Sequence, residues 1–337
     1  MSLLPYLHRV AAGSDLSGEE AHQAMGVLLE VGAGEAEIAA FLVALKMKGE
    51  TAAEIAGFAR AMRDRMIVVD AGPDVIDTCG TGGDASGTFN ISTAAAIVMA
   101  GAGAHVAKHG NRSISGTIGS ADVVEALGVR VTLTPQEAAQ AIREIGIGFL
   151  FAPALHPAMK QVQAVRLALK LRTVFNLLGP LANPARAATQ LIGAPSPAAA
   201  KLIAEAMIEL GTRKSFVVHG QDGLDEITTT ACTDVYEVTA LGVKKHVWKP
   251  SDFGIDIADL SSLKGGDVAC NAQIIRDVLR GSAGPKRDVV LANAAAGLLA
   301  AGIVGDLRSG MECAARSIDS GAAWGKLQML KEKRPAV

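Results

Sequence analysis

From about residue 72 onward, the chain alternates short apolar runs rich in β-branched residues with longer segments of helical periodicity. One helical segment spans 196–211, where Ser196 can cap the helix, Pro197 suits its first turn and Gly211 can end it. Such alternation is typical of a mostly parallel sheet with helices on both faces. Two apolar runs on either side of "ALGV", within 233–248, predict a hairpin on that sheet. The candidate strands are 74–77, 104–107, 129–133, 147–152, 189–194 and 215–220.

The first 70 residues show helical patterns and no strand pattern. Ser17 with Glu20, and Thr51 with Glu54, fit the capping box in which each side chain binds the other residue's free amide. We therefore predict a helical domain over residues 1–70 and an α/β domain over 71–337. We expect a helix near 160–182 to join the helical domain.

Composition limits the classes of function. A net charge of -2 and an aromatic content of 4% provide neither a basic surface nor stacking platforms for nucleic acid. The most apolar segment, 289–305, carries Asn293 and three glycines and is shorter than the roughly 20 residues of a membrane span. We expect a cytoplasmic protein that binds neither nucleic acid nor membrane.

The four cysteines are far apart in the sequence and form no CxxC pair, so a disulfide framework or a zinc site is not expected. They are Cys79, Cys232, Cys270 and Cys313.

A glycine-rich stretch, "TCGTGGDASGTFNIST" at 78–93, follows the first candidate strand. Glycines allow successive backbone amides to approach one anion, and the helix that begins near Ile91 adds its positive N-terminal end. The stretch is neither a P-loop nor GxGxxG. A tight turn between strand and helix would explain two of the glycines, whereas the accompanying Asp84, Asn90 and Ser92 favour a phosphate-binding loop.

A second polar loop follows the candidate strand at 104–107 and contains Lys108, Asn111, Arg112 and Ser120. Taken alone it fits a solvated surface turn equally well. Because ligands of α/β sheets bind at the carboxyl ends of strands, two such loops on adjacent strands favour a second anion cradle.

The run "HGQDGLDEIT" places Asp222, Asp225 and Glu226 at the end of a third candidate strand. Mg²⁺ in proteins is usually held by one or two carboxylates together with substrate phosphates. Taken alone, the run fits a charged surface turn better. If the run faces the two phosphate loops, its carboxylates would repel the ligand unless a cation bridged them, so that placement favours a bound Mg²⁺.

Other polar residues remain undecided by composition. Lys160, Arg166 and Arg172 lie in one helical segment, and most such cations are solvated. His109 and His156 have no neighbours in sequence that indicate a triad or a metal site, and we interpret both as structural. Cys79 likewise has no activating base nearby in sequence.

Taken in order, these motifs resemble the anthranilate phosphoribosyltransferase family over essentially the whole chain. The matching elements are "DTCGTGGD", "FNIST", "KHGNRSIS", "GSADVVEALG", "HPAMK", "RTVFNLLGPLANP" and "HGQDGLDEIT". The resemblance implies a nucleoside-phosphorylase-like fold and a homodimer formed through the helical domain. It also implies Mg²⁺-dependent transfer of the phosphoribosyl group of 5-phosphoribosyl-1-diphosphate (PRPP) to the amine of anthranilate.

The resemblance also assigns roles to residues. Lys108 and Asn111 match catalytic positions, and Ser92, Asp225 and Glu226 match the family's Mg²⁺ ligands. The residues that match its anthranilate site are Gly80, Asn111 and Arg166. The residues that match its PRPP site are Gly80, Gly83, Asp84, Thr88, Asn90, Ile91, Ser92, Thr93, Lys108, His109, Gly110, Asn111, Arg112, Ser113, Ile114, Ser115, Gly116 and Ser120.

One stretch departs from the family pattern. Where the family usually reads like "VSSKSGSAD", this chain reads "ISGTIGSAD", so that Gly116 and Ile118 replace serines. We expect a different polar lining there and the same reaction, because Lys108, Asn111 and Ser120 are kept. The alternatives are a pyrimidine nucleoside phosphorylase of the same fold and a non-catalytic relative that binds nucleic acid.

Overall fold

A computed structural model describes residues 2–82, 86–112 and 118–332. The chain begins with four helices: α1 (Leu4–Ala11), α2 (Gly18–Leu28), α3 (Glu35–Lys48) and α4 (Ala52–Arg65). Both predicted capping boxes are confirmed, at Ser17 before α2 and at Thr51 before α4. The apolar faces of these helices pack into one buried cluster.

Seven strands within the described residues form one sheet in the order β3-β2-β1-β4-β5-β6-β7. Strands β1 to β5 pair in parallel, and the hairpin β6–β7 continues the sheet in antiparallel pairing, as predicted. The strands are β1 (Val75–Gly80), β2 (His105–Gly110), β3 (Ile147–Phe151), β4 (Thr189–Gly193), β5 (Lys214–Gly220), β6 (Thr233–Thr239) and β7 (Gly242–Trp248).

Helices cover both faces of this sheet. On one face α5 packs against β1, β2 and α13, and on the other α11 lies between the strands β5 and β6 and the helix α4. The helices after α4 are α5 (Ile91–Gly101), α6 (Ser120–Ala126), α7 (Pro135–Ile145), α8 (Ala152–Leu155), α9 (Lys160–Leu169), α10 (Phe175–Leu178), α11 (Pro197–Glu209), α12 (Val268–Leu279), α13 (Pro285–Ala300), α14 (Leu307–Asp319) and α15 (Ala322–Glu332). None of the helices described is both long and apolar enough to cross a membrane.

The predicted strand at 129–133 is wrong, because this segment is irregular and pairs with no strand. Val129 and Val131 are buried in the core that surrounds α5. Alternating apolar residues indicate that one side of a segment is buried. Here that side packs on the core, and the segment does not pair with a strand of the sheet.

Helix α9 packs against α3, and buried residues of α9 and α10 share the apolar cluster of the first four helices. The division of the chain at residue 70, and the role of 160–182 in joining the helical domain, stay predictions.

The strand order places the site. From β1 the chain moves outward to β2 and β3, and it then returns to form β4 on the other side of β1. A crevice opens where neighbouring connections leave a parallel sheet in opposite directions, and ligands bind there, outside the carboxyl ends of the strands. The glycine-rich stretch begins at this point.

Candidate active site

Two glycines end the central strands side by side. Gly80 of β1 pairs with Gly193 of β4, and the Thr81 amide donates to the Gly193 carbonyl at 2.9 Å. A Cβ atom on Gly193 would lie 1.5 Å from the backbone oxygen of Asp225, and one on Gly80 would lie 2.5 Å from its Oδ2. The missing side chains therefore let Asp225 lie directly against the strand ends.

Asp225 and Glu226 accept hydrogen bonds from amides of the glycine-rich stretch, where phosphate is predicted to bind. The Gly82 amide donates to Asp225 Oδ2 at 2.9 Å, and the Ser92 amide, in the first turn of α5, donates to Glu226 Oε1 at 3.1 Å. The glycine loop and the positive end of α5 thus face two carboxylates. Two carboxylates beside the Ser92 hydroxyl are a donor set that suits Mg²⁺ when substrate phosphates and water complete its shell.

The third carboxylate of this loop has a different task. Asp222 Oδ2 accepts hydrogen bonds from the hydroxyls of Thr228, at 2.6 Å, and of Thr230, while its Oδ1 accepts from the Leu224 amide at 3.2 Å. These bonds hold the loop closed, so Asp222 shapes the turn that carries Asp225 and Glu226.

Lys108, in β2, is buried. Its Nζ donates to the Thr78 carbonyl at 2.7 Å and to the Ser92 hydroxyl at 3.3 Å. Burial lowers the pKa of Lys108, whereas the negative charges of Asp77 and Glu226 act to raise it. Ser92, Lys108, Asp225 and Glu226 are hereafter called the strand-end site.

Sequence reasoning did not single out Asp77, which is fully buried in β1. Burial raises the pKa of its carboxyl, and the nearby Lys108 opposes that change. Its Oδ1 accepts from the His109 amide at 3.1 Å, and its Oδ2 accepts from the Cys79 thiol at 3.3 Å. The signal in the sequence was a carboxylate in the middle of an apolar strand, which is rare without a partner.

The second loop is held by the carbonyl of Asn111, which accepts from the Ser120 hydroxyl at 3.5 Å and from the Ala121 amide at 3.1 Å. A Cβ atom on Gly110 would lie 2.3 Å from the Ser120 Oγ. Arg112 instead extends along α6, and it donates to Asp122 and to Glu125. Its assignment to PRPP stays a prediction.

Four other assigned residues lie around the start of α5. Asn90 donates to the Ile118 carbonyl at 3.4 Å, Ile91 is buried, and Thr88 forms an isolated bridge with Lys264. The buried Thr93 hydroxyl has no hydrogen-bond partner in the described part of the chain. Six assigned residues lie outside the described residues: Gly83, Asp84, Ser113, Ile114, Ser115 and Gly116.

Arg166, in α9, makes a cation–π contact with Phe175. Its guanidinium sits 5.0 Å from the centre of the Phe175 ring, and burial lowers its pKa. No hydrogen bond or ion pair within the described residues joins Arg166 to Lys108 or Asp225.

Sequence reasoning missed a segment that follows α10. Each of three successive backbone carbonyls, at residues 179–181, accepts a hydrogen bond from a side chain. The donors are, in order, His109, Gln190 and Arg63, with distances of 3.2, 2.7 and 2.7 Å. We call residues 179–181 the carbonyl segment.

His109 and the neighbouring His156 are neutral. Burial lowers the pKa of His109 to about 3 and that of His156 to about 4. Because the Nδ1 of His109 donates to a carbonyl, its Nε2 carries no proton. The rings lie 5.2 Å apart, and both Nε2 atoms are buried with no partner among the described residues. Unprotonated nitrogens of this kind can accept a hydrogen bond from an amine.

Comparison with known proteins supports the resemblance. Residues 72–324 match the glycosyl transferase family a/b domain, and residues 4–66 match its helical bundle domain. An anthranilate phosphoribosyltransferase of Solibacter usitatus is 56% identical over 335 residues, which is 98% of each chain. This chain belongs to the anthranilate phosphoribosyltransferase family.

Solved structures of the family share the fold. The enzyme of Thermus thermophilus matches with a TM-score of 0.92 and 41% identity over 98% of both chains. The Saccharomyces cerevisiae enzyme, in complex with PRPP and Mg, matches with a TM-score of 0.89 and 30% identity over 98% of this chain and 97% of the other. The predicted fold class, a small helical domain with a larger α/β domain, is confirmed.

Proposed function

We propose that this chain transfers the 5-phosphoribosyl group of PRPP to the amine of anthranilate. The products are N-(5-phosphoribosyl)anthranilate and diphosphate, and the reaction is the second step of tryptophan synthesis from chorismate. One observation supports this most directly: Ser92, Lys108 and Glu226 are connected by hydrogen bonds at the switch point of the sheet.

The strand-end site is assigned to the diphosphate of PRPP. Asp225, Glu226 and the Ser92 hydroxyl would hold Mg²⁺, which when bound neutralises diphosphate as a Lewis acid and aligns it as a leaving group. Lys108 Nζ lies 3.3 Å from the Ser92 hydroxyl and can stabilise the charge that develops on the departing diphosphate. The amides of Gly82 and Ser92, which now donate to the two carboxylates, mark where negative charge is favoured.

The anthranilate end requires positioning rather than a base. The amine is neutral at pH 7, and the ribosyl transition state should be oxocarbenium-like, so holding the nitrogen in line with C1 accounts for much of the acceleration. We assign the anthranilate carboxylate to Arg166, whose planar guanidinium can bind it with two hydrogen bonds. We assign Asn111 to contacts with both substrates, as the family resemblance implies.

The decisive experiment follows the fluorescence of anthranilate in the presence of PRPP and Mg²⁺, and then with EDTA. We expect loss of the anthranilate signal that requires both PRPP and the metal. The matched variants are Asp225→Asn, which should require more Mg²⁺, and Asp252→Asn, an exposed position whose carboxylate accepts from the Lys249 amide outside this loop, which should keep the wild-type requirement.

Two outcomes would favour other functions. Turnover of pyrimidine nucleosides with phosphate, and none with anthranilate, would identify a nucleoside phosphorylase. Salt-sensitive binding of DNA without PRPP turnover would identify a nucleic-acid-binding relative.

The proposal includes a cytoplasmic homodimer formed through the helical domain. Helices α1 and α3 and the turn between α2 and α3 leave large apolar side chains in solvent, with Leu4 42%, Val31 87% and Met47 83% exposed. Light scattering after size-exclusion chromatography should give twice the chain mass, and a monomer at micromolar concentration would contradict the assignment.

A further inference from the structure

Helix α13 is apolar along nearly its whole buried length, and Asn293 is an exception in its centre. This side chain is 0% exposed. Its Oδ1 accepts from the Ile227 amide at 3.0 Å, and its Nδ2 donates to the Ile227 carbonyl at 2.8 Å and to the Val289 carbonyl at 2.8 Å. One amide side chain thus binds both polar groups of a single residue's backbone.

Ile227 follows Glu226 directly and is itself fully buried. Its amide belongs to the peptide group that joins it to Glu226, so the bond to Asn293 Oδ1 fixes the plane of that peptide. The bond to the Ile227 carbonyl fixes the next peptide plane. With both planes held, the backbone at Ile227 is fixed by a residue 66 positions further along the chain, and so is the peptide group that directly follows Glu226.

The same loop is fixed on its other sides. The Asp225 backbone lies against Gly193, and the Thr228 amide donates to the Thr233 hydroxyl at 3.1 Å. Asn293 supplies the contact from α13. An isosteric leucine at 293 would pack well in that apolar helix but would leave both backbone groups of Ile227 buried without these partners.

We propose that Asn293 is a positioning residue: it clamps the backbone at Ile227, holds the peptide that follows Glu226 and thereby helps to aim the Glu226 carboxylate at the cation that accompanies diphosphate. The inference rests on the proposed function, because it assigns Asn293 to the same site. Outer residues that orient metal ligands typically change metal affinity by about 10- to 100-fold when they are replaced.

The test uses binding without turnover. Mn²⁺ is titrated into the full-length protein with inorganic diphosphate present, and free Mn²⁺ is followed by electron paramagnetic resonance. We expect Asn293→Leu to weaken Mn²⁺ binding by about 10- to 100-fold. In steady-state assays the same variant should require more Mg²⁺ while the KM for anthranilate is unchanged. Asn293→Ala is measured alongside, in case leucine prevents folding.

Ser317→Ala is the matched control. Its hydroxyl is also buried and donates to the Val98 carbonyl at 2.8 Å, but it makes no hydrogen bond to the loop at 222–230. It should lower the unfolding temperature and leave Mn²⁺ affinity unchanged. If Asn293→Leu behaves like this control, Asn293 is only structural and the inference is overturned.

A measurement on the wild-type protein keeps the inference testable whatever the variants do. Hydrogen exchange at the Ile227 amide should be as slow as in the core of α13, without Mn²⁺ and diphosphate as well as with them. Fast exchange in their absence would show that the clamp does not form before the ligand binds. If the wild-type protein binds no Mn²⁺ with diphosphate, the proposed function fails; if it binds and the variants bind equally well, only the inference fails.

Discussion

The strand-end site and the carbonyl segment both consist of buried and half-buried residues, yet they are built from opposite kinds of groups. At the strand-end site, two carboxylates accept hydrogen bonds from backbone amides, and a lysine donates to the Ser92 hydroxyl. At residues 179–181, side chains from several elements bind backbone carbonyls, and one of the donors is the neutral imidazole of His109. Acidic side chains are concentrated where the diphosphate and its cation are proposed to bind, whereas the donors at the carbonyl segment are a neutral imidazole, an amide and a guanidinium.

Counter-charges explain the difference. Burial lowers the pKa of Lys108, and Asp77 and Glu226 oppose that change. Burial also lowers the pKa of His109, and the neighbouring His156 and Lys108 lower it further. Similar burial thus gives a lysine surrounded by carboxylates and a histidine that stays neutral.

The largest expected effect tests the charged region. Lys108→Ala removes a donor aimed at developing negative charge, and we expect kcat to fall by on the order of 10²- to 10³-fold. Lys160→Ala, at an exposed position of α9, is the control and should behave like wild type. Steady-state kinetics with both substrates checks this, and wild-type turnover in Lys108→Ala would contradict the assignment of the diphosphate.

A smaller effect should come from two glycines, one in each region. Gly193→Ala would place a Cβ atom 1.5 Å from the Asp225 backbone oxygen, so the carboxylate loop must move. Because displacements near 1 Å can cost about 100-fold, we expect a loss of that order in kcat/KM for PRPP.

Gly179→Ala is the counterpart in the carbonyl segment. Gly179 has φ -50° and ψ -54°, and a Cβ atom there meets nothing within 4 Å. It should keep full activity and the same or slightly higher stability. If Gly179→Ala lost as much kcat/KM for PRPP as Gly193→Ala, the close packing at Gly193 would not explain the loss.

The two regions also differ in what the sequence reveals. Glycines and hydroxyls at 78–93 predicted a ligand loop between a strand and a helix, and the structure places that loop at the switch point of the sheet. The hairpin and both capping boxes were predictable because each depends on residues close in the chain. The strand proposed at 129–133 failed because burial alone does not specify pairing.

The carbonyl segment could not be predicted. Every residue has a backbone carbonyl, so the amino-acid type at a position does not show whether its carbonyl accepts a hydrogen bond from a side chain. Arg63 and Leu181 are 118 positions apart, and His109 and Gly179 are 70 apart. Only the folded sheet brings these partners together, and for the same reason His109 and His156 gave no sign in the sequence of forming a pair.

The KM values for the two substrates should distinguish the anthranilate site from the diphosphate site. Arg166→Ala should raise the KM for anthranilate by about 10- to 100-fold, which corresponds to losing hydrogen bonds between charged groups, with little change in the KM for PRPP. Arg172→Ala, an exposed arginine six positions along the chain, is the control. Equal changes in both KM values for Arg166→Ala would show that the arginine supports the fold and not one substrate.

The smallest effect concerns the neutral histidines. In the folded protein the pKa of His156 lies near 4, well below its ordinary value, so the unfolded chain binds the proton first as the pH falls. Stability should therefore decrease from pH 7 to pH 5, by up to about 2 kcal/mol for this histidine. His156→Gln should flatten the pH dependence of urea-unfolding free energies by that amount, whatever its stability at pH 7. His8→Gln, at an exposed position of α1, should keep the wild-type slope. If His156→Gln keeps it too, the pKa of His156 is the same in the folded and the unfolded chain, and burial does not favour the neutral imidazole beside the carbonyl segment.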